Sequence, residues 1–378
     1  MSLIFFYILA ALQGIEIFNV LRFLDFYLVF FIFYFFIKDK TIPTVNIYLV
    51  LFLIYGSSIS FLRLYFTDSD AICADIECSS YLDPQSFAAN IFSISILFFK
   101  YIEYLLFFWL GIKFAEKYQL IYFEIGVKIL LVILISWSFY HFYLWSNNFI
   151  KNDRADFPFI FNGGQQLSSA LYILLVSLTY ILIHKKNYIT FFIFLIFCLF
   201  PFYTSGGRAG LIGLSIFSLF FLIYYFRFYL ILFLSFLVYS FVQGQSILSS
   251  LGFRFGTASD AGRIRILRLI EDRLYDDYFL ILFGQGFAHA YWYDMFIIHI
   301  LYEFGLLGFL FLFLFSLYVF SKIIKVYGST YKLFWIFVLV SFGFQLIVAE
   351  SMVTDRTAPL ILLSLGYMWY NTNIKSKF

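Results

Sequence analysis

The sequence predicts an all-α protein that crosses a membrane about twelve times. Of its 378 residues, 63% are hydrophobic and only 12% are charged, about half the charged fraction of soluble proteins. Its apolar runs reach the roughly 20 residues that a helix needs to cross a bilayer. No stretch alternates in the manner of a membrane β-barrel, so helices are the structure that pairs the backbone groups in lipid.

The apolar runs between short polar segments predict about twelve helices, with boundaries defined to within several residues. The first run, Leu3 to Leu12, passes into Gly14-Ile15-Glu16 without a small-residue cleavage site, so we expect a retained helix. The predicted helices are 2–16, 24–37, 44–66, 87–111, 120–146, 167–183, 188–204, 209–225, 228–245, 294–320, 333–352 and 357–371.

The basic residues predict that both termini are cytoplasmic. In this orientation the inner connections carry about a dozen basic residues against two acids, Asp39 and Glu116. The opposite orientation would place this lysine-rich set outside. We therefore expect one integral membrane domain, 1–378, with these inner segments: Lys38 to Lys40, Lys113 to Lys117, His184 to Lys186, Arg227, Lys322 to Lys332, and the tail with Lys375 and Lys377.

The outer loops predicted by the same orientation differ in kind. Segment 67–86 is acidic, segment 147–166 is mixed, and the longest loop, 246–293, lies between the ninth and tenth helices. That long loop carries arginine and no lysine. The planar guanidinium suits bidentate capture of phosphate, which indicates an anion site. The loop is also partly amphipathic, so an interfacial helix with a solvated charged face is the alternative.

Four motifs on this outer face carry a resemblance to a known family. Their order and spacing make the combination specific, although each motif alone is weak. They are Thr204-Ser205-Gly206-Gly207-Arg208-Ala209-Gly210 at a helix start; Arg154 to Asn162; Asp260-Ala261-Gly262-Arg263 followed by Gly284-Gln285-Gly286; and Asp294-Met295 followed after nine residues by Gly305-Leu306-Leu307-Gly308, with Glu303 two before the first glycine.

Together these motifs resemble the O-antigen polymerase (Wzy) family, within the superfamily of O-antigen polymerases and ligases. The resemblance spans roughly residues 150–320, and the first third of the chain matches only in hydropathy. Ligases typically carry a histidine where this chain has Asp294, followed by an amide or serine where it has Met295. This departure favours a polymerase over a ligase.

The resemblance implies a GT-C-like membrane fold and a glycosyltransferase in the bacterial inner membrane. Such an enzyme moves a growing chain from undecaprenyl pyrophosphate onto the terminal sugar of a new repeat unit, with its site facing the periplasm. It implies no cofactor and no metal. The implied partners are undecaprenyl-pyrophosphate-linked oligosaccharides, the bilayer and, as an open option, a chain-length regulator protein, with no nucleic acid.

Arginines are the residues expected to bind the pyrophosphate, because a leaving group that gains negative charge needs cationic donors. Arg208 is favoured most, since the positive end of a helix adds to its pull on an anion. Its alternative is an arginine that snorkels to the interface. Arg273 and Arg154 have acidic neighbours and could instead form ion pairs. The predicted substrate-binding set is Arg208, Arg263, Arg254, Arg154, Arg273 and His289.

The acceptor hydroxyl needs a base or an oriented acceptor. We expect Asp294 in this role, followed by His299 and Glu303, because ionisable groups at a helix start in lipid default to functional candidates. His299 lies five residues after Asp294 and so faces another side of a helix. Glu303 has a structural alternative, the orientation of a neighbouring backbone or pairing with an arginine. Lys100 and Glu103, at i,i+3 spacing, are expected to form an internal ion pair.

Other polar features carry weaker expectations. Asp68-Ser69-Asp70 has the spacing of a metal-binding pair, but it lies on the predicted outer side, away from nucleotide sugars. Cys198 is expected to be a buried thiol, and a Cys73–Cys78 disulfide is left open. The alternatives to a polymerase are an O-antigen ligase acting on lipid A core and, from another class, a flippase or transporter of lipid-linked sugars. The arginine-rich outer loop is the feature that argues against a flippase.

Overall fold

The computed structural model describes ten stretches of the chain. They are residues 3–4, 23–40, 47–66, 91–150, 164–205, 207–225, 278–284, 286, 296–348 and 357–374.

All regular elements in these stretches are α-helices, as the hydropathy pattern predicts. The helices are α1 Phe23–Asp39, α2 Ile47–Phe66, α3 Ile91–Lys117, α4 Leu120–Ser146, α5 Gly164–Lys185, α6 Ile189–Ser205, α7 Arg208–Tyr225, α8 Tyr278–Phe283, α9 Phe296–Ile324, α10 Ser329–Val348 and α11 Ala358–Ile374.

Ten of the eleven observed helices match predicted runs to within about six residues at either end. Helix α8 matches none of them, because it lies inside the predicted outer loop 246–293, and two further corrections apply. Helix α3 continues to Lys117, so the segment expected to be a connection from Lys113 is the last turn of a helix, held by the Lys113–Glu116 pair at i,i+3 spacing. The predicted continuous helix 294–320 is interrupted at Gly305, where the backbone is not helical. The predicted helices 2–16 and 228–245 lie outside the described residues, apart from residues 3–4.

Four helical segments in the described part are long and apolar enough to cross a membrane. Their composition supports the membrane character that the sequence predicts. They are Leu120–Ser146, Gln166–Lys185, Ile300–Ile324 and Ser329–Leu346.

The chain forms two compact units. Unit 1 comprises Met1–Pro43, Tyr104–Phe253 and Ile323–Phe378, and unit 2 comprises Thr44–Glu103 and Arg254–Lys322. Each is described by itself below.

Unit 1 is built around α5, whose side chains are all buried from Leu167 to Ile183. Helices α4, α6, α7 and α11 pack against it, and α7 packs against α10. Small side chains let the helices approach closely. A Cβ built on Gly210 of α7 would lie 2.7 Å from the backbone oxygen of Ser168, and one on Gly366 of α11 would lie 3.3 Å from the Cα of Gly111.

Polar contacts tie the helices together at one end of unit 1, where α4 and α10 begin and α5 ends. The carboxylate of Glu124 is buried and pairs with Lys128, 2.6 Å away, and with Lys185. The ring of His184 lies 2.9 Å from the Tyr180 hydroxyl and 2.9 Å from the Tyr331 hydroxyl. We call this the Lys185 end. At the opposite end, the Gln166 end, α5 and α7 begin and α6 and α10 end.

Unit 2 has an aromatic core around α9. The ring of Phe304 lies 4.7 Å from Phe52 of α2 and 6.4 Å from Tyr101 of α3, centroid to centroid. The Tyr55 hydroxyl of α2 donates a hydrogen bond to the Phe283 carbonyl at 2.8 Å, which anchors the end of the short helix α8. Helices α2, α8 and α9 are thereby joined in one unit.

Candidate functional site

The first arrangement of interest lies in unit 2, where two sequence motifs meet. Helix α8 is followed by Gly284, whose N–H donates to the Leu280 carbonyl at 2.9 Å. Two residues later the Gly286 N–H donates to the Glu303 carbonyl of α9 at 2.6 Å. The motif Gly284-Gln285-Gly286 is therefore fastened to the motif that contains Glu303 and Gly305. We call this contact the glycine joint.

Glycine is required on both sides of the joint. Gly305 has φ 61° and ψ −167°, a region that only glycine populates readily. A Cβ on Gly305 would also lie 2.6 Å from the Gly284 nitrogen. Gly286 has φ 87°, and its Cβ would lie 2.6 Å from the Cα of Ser60 on α2. A side chain at Gly305 would overlap the segment Leu282–Gly284, and one at Gly286 would overlap Ser60 of α2.

The joint gives a physical reason for the break in α9. A helix interrupted within an apolar segment leaves backbone groups that must find other partners. The Glu303 carbonyl finds one in the Gly286 N–H. The side chain of Glu303 is buried, with the residue 3% exposed. Because burial of a carboxylate is costly in lipid, Glu303 stays a functional candidate.

The second arrangement lies in unit 1 at the Gln166 end. Arg208 is the first residue of α7, as the glycine turn before it predicts. The Ser168 hydroxyl of α5 donates to the Gly207 carbonyl at 2.8 Å. The Ser205 hydroxyl accepts from the Gly207 N–H at 3.4 Å. These bonds hold the turn that starts α7, whose amino end carries the positive pole of the helix dipole. The Arg208 side chain lies outside the described residues.

A buried amide packs against α7 at Gly213, five residues after Arg208. Gln345 of α10 is 0% exposed, and neither its Nε2 nor its Oε1 has a hydrogen-bond partner in the described part of the chain. Its amide packs against Gly213 of α7, where any Cβ would overlap the Gln345 side chain. One helical turn away on α10, Ser341 shares a hydrogen bond with the Tyr172 hydroxyl of α5. Tyr172 is in turn one helical turn from Ser168.

Ser168 and Tyr172 of α5 and Ser341 and Gln345 of α10 form a polar layer between two apolar helices. Ser168 and Tyr172 are four residues apart on α5, as are Ser341 and Gln345 on α10, so each pair lies on one helix face. Since Tyr172 contacts Ser341, Gln345 lies about one helical turn closer to the Gln166 end than Ser341 does. An unpaired amide in such a layer costs about 1–3 kcal/mol. Because the unpaired amide of Gln345 lowers the stability of the protein, Gln345 is a candidate for contact with a ligand or water.

The remaining predicted site residues are mostly outside the described residues. His299 belongs to α9, which begins two residues after Asp294, but its side chain is not described. The predicted site residues outside the described part are Asp294, Arg154, Arg254, Arg263, Arg273 and His289. The disulfide candidates Cys73 and Cys78 and the pair Asp68 and Asp70 also lie outside it.

Two structural expectations are confirmed. Lys100 and Glu103 form an ion pair with 2.9 Å between Nζ and Oε2. Cys198 is a free thiol and is fully buried in α6. In the described part of the chain no group of three or more His, Cys, Asp or Glu residues is placed to hold a metal ion.

Tyr55 and the polar layer of Ser168, Tyr172, Ser341 and Gln345 are absent from the sequence prediction. Gln345 is an amide within the apolar run Ser341-Phe342-Gly343-Phe344-Gln345-Leu346-Ile347-Val348, and a polar residue inside a membrane span is a signal that could have found it. Tyr55 has no such signal, because it is one aromatic residue in an aromatic-rich chain.

Comparison of the chain with protein-family models, curated proteins and solved structures found no match in any of the three. The geometry and the sequence motifs therefore carry the functional argument.

The glycine joint predicts the effect of small substitutions. Gly286→Ala and Gly305→Ala should each lower the free energy of unfolding by about 2–5 kcal/mol, the sum of backbone strain and overlap. Gly343→Ala is the matched control, because a Cβ there meets no atom within 4 Å. It should be neutral or stabilising by up to about 1 kcal/mol, as expected for a helical glycine. The measurement is the thermal unfolding midpoint of the purified protein in detergent, and equal midpoints for all three variants would contradict the joint.

The polar layer predicts opposite effects for two neighbouring residues. Gln345→Met keeps the side-chain volume and removes a buried unpaired amide, so it should raise the free energy of unfolding by about 1–3 kcal/mol. Ser341→Ala takes away the hydrogen-bond partner of the buried Tyr172 hydroxyl, so it should lower that free energy by a similar amount. Chemical denaturation in detergent measures both. A destabilised Gln345→Met variant would show that the amide is paired within the protein.

Proposed function

We propose that this chain is a polymerase of surface-polysaccharide repeat units. It would transfer a growing chain from undecaprenyl pyrophosphate to the terminal sugar of a new lipid-linked repeat unit. The proposal rests on the four motifs that resemble the O-antigen polymerase family. It is supported most by one observation, the glycine joint, because two of those motifs interlock through the Gly286 N–H and the Glu303 carbonyl. These two motifs are therefore in contact in the folded chain.

The proposed reaction is one displacement at the anomeric carbon of the donor chain. The acceptor hydroxyl oxygen forms the new glycosidic bond, the bond to the pyrophosphate oxygen breaks, and the hydroxyl proton passes to a base. Undecaprenyl pyrophosphate leaves with its added negative charge. Arginines stabilise that charge, and we assign this role first to Arg208, Arg263 and Arg254, with Arg154, Arg273 and His289 as further contacts to the substrate.

The base belongs to the motif that precedes and enters α9. We assign it to Asp294, with His299 and Glu303 as the other candidates. Glu303 is the member of this set whose side chain the structure describes, and it is buried two residues before the break at Gly305. A carboxylate oxygen at this position can accept the proton of a hydroxyl group.

The proposal includes a topology. The chain would cross the inner membrane about twelve times with both termini in the cytoplasm and with 246–293 as a long periplasmic loop. The Lys185 end of unit 1 would then face the cytoplasm, in keeping with the lysines at the ends of α1, α3 and α5. The Gln166 end, with the start of α7, would face the periplasm, where lipid-linked repeat units are joined.

A flippase of lipid-linked sugars is the second candidate, and the break in α9 favours it. Transporters often bind their substrates at interrupted membrane helices. That pattern usually comes as a pair of interrupted helices, and in the described ranges α9 alone has non-helical dihedrals inside it. The ligase alternative gains no support of this kind.

The surface polysaccharide of a strain that lacks this protein should distinguish these functions. For a polymerase, a gel of surface polysaccharide from the deletion strain should show core plus a single repeat unit, because capping continues without chain growth. Arg208→Ala should reproduce that pattern at normal protein levels. Arg227→Ala, just beyond the other end of α7, is the matched control and should keep the full ladder.

Two results would contradict the proposal. Loss of all capped species in the deletion strain would indicate a ligase or a flippase. An unchanged ladder with Arg208→Ala would remove that arginine from the site.

A further inference from the structure

Two lysines converge on one tyrosine at the Lys185 end of unit 1. The Tyr34 hydroxyl accepts a hydrogen bond from Lys38 Nζ at 3.0 Å and another from Lys117 Nζ. Lys117 Nζ also lies 4.2 Å from the centroid of the Tyr34 ring. Lys38 is in the last turn of α1, and Lys117 is the last residue of α3. We call these three residues the lysine–tyrosine cluster.

The cluster concentrates positive charge on an exposed surface. Two ammonium groups that share one hydrogen-bond acceptor repel each other. Lys117 forms no ion pair with a carboxylate in the described part of the chain, whereas Lys113, one turn earlier on α3, pairs with Glu116 at 2.6 Å. A phosphate placed between Lys38 and Lys117 would accept hydrogen bonds from both.

An exposed apolar strip leads along α1 to the cluster. Its side chains recur at intervals of three and four residues and so form one helix face. The opposite face, with Phe31 and Phe35, is buried against Phe114. The strip consists of Phe26, Val29, Phe30, Phe33, Phe36 and Ile37, with exposed fractions of 49%, 50%, 61%, 59%, 52% and 74%.

The length of the strip matches one leaflet of a bilayer. From Phe26 to Ile37 the helix rises about 17 Å at 1.5 Å per residue, and half of a hydrocarbon core is about 15 Å. The strip ends next to Lys38, so the charge lies where a headgroup would be if an acyl chain followed the strip. This arrangement of a long apolar face with two cations at its end fits a phospholipid better than a free anion.

We propose that the lysine–tyrosine cluster binds the phosphate of an anionic phospholipid whose acyl chain lies along the exposed strip of α1. Lys38 and Lys117 donate to phosphate oxygens, and the Tyr34 hydroxyl turns its proton toward the same group. The cations and the apolar strip act on different parts of one molecule, so both contribute to retention. This inference does not depend on the proposed transfer reaction.

The test uses the full chain, purified in detergent, with lipid binding followed by native mass spectrometry. The wild type should retain phosphatidylglycerol in preference to phosphatidylcholine. The double variant Lys38→Gln/Lys117→Gln should lose that preference, with an affinity for phosphatidylglycerol about 10- to 30-fold lower, the range for two lysines at an anionic surface. The matched control Lys113→Gln/Lys322→Gln removes the same charge elsewhere and should behave as the wild type.

Four outcomes would overturn the proposal. The first is equal retention of the two lipids by the wild type, and the second is equal loss in the control variant, which would indicate general surface attraction. The third is thermal stabilisation by inorganic phosphate equal to that by phosphatidylglycerol, which would make the ligand a free anion. The fourth is a second copy of the chain held in place of lipid, which would make the strip a dimer interface.

Discussion

The hydrogen bond from the Gly286 N–H to the Glu303 carbonyl is the contact on which the architecture of unit 2 depends. An interrupted helix in an apolar segment is stable only if other groups replace its missing backbone partners. Gly286 supplies one partner, and Gly305 permits the chain to turn where a side chain would not fit. Tyr55 fixes the end of α8 from a third helix. A buried carboxylate is thereby held beside a fixed backbone rather than on a loop.

Unit 1 is held together by close packing between its helices. Ser168 and Gly210 bring α5 and α7 together, and Gly213 makes room for the Gln345 amide of α10. Packing alone would favour an apolar residue at position 345, because an unpaired amide lowers stability. The stability of the fold therefore does not explain the amide in the polar layer. Gln345 contacts Gly213 on α7, the helix whose first residue is Arg208, to which an anion-binding role is assigned above.

Much of the fold is predictable from the sequence because membrane helices are recognised by their length and hydropathy. The run 120–146 is predicted with its observed bounds, and α7 begins within one residue of the predicted start. The break at Gly305 is not predictable from hydropathy, since Phe304 and Leu306 continue the apolar run across it. Its cause is the contact with Gly284 and Gly286, about twenty residues away in sequence, and hydropathy reports nothing of such pairings.

The candidate site is predictable to a smaller extent. The glycine motifs indicate the turn before Arg208 and the glycine joint, because turns and close backbone contacts favour glycine and the sequence shows where the glycines are. The surroundings of Gln345 depend on Gly213 and Tyr172, which lie on other helices. The contacts of such a residue are determined by tertiary packing, which cannot be read from a single sequence.

The central claim is that the chain forms glycosidic bonds between lipid-linked repeat units. The direct measurement uses the purified protein in liposomes with lipid-linked repeat units as the sole substrate and follows both products. The account predicts lipid-linked chains of increasing length, with one undecaprenyl pyrophosphate released for each new bond. Movement of the lipid-linked unit across the bilayer, with no new bond and no release of undecaprenyl pyrophosphate, would contradict it.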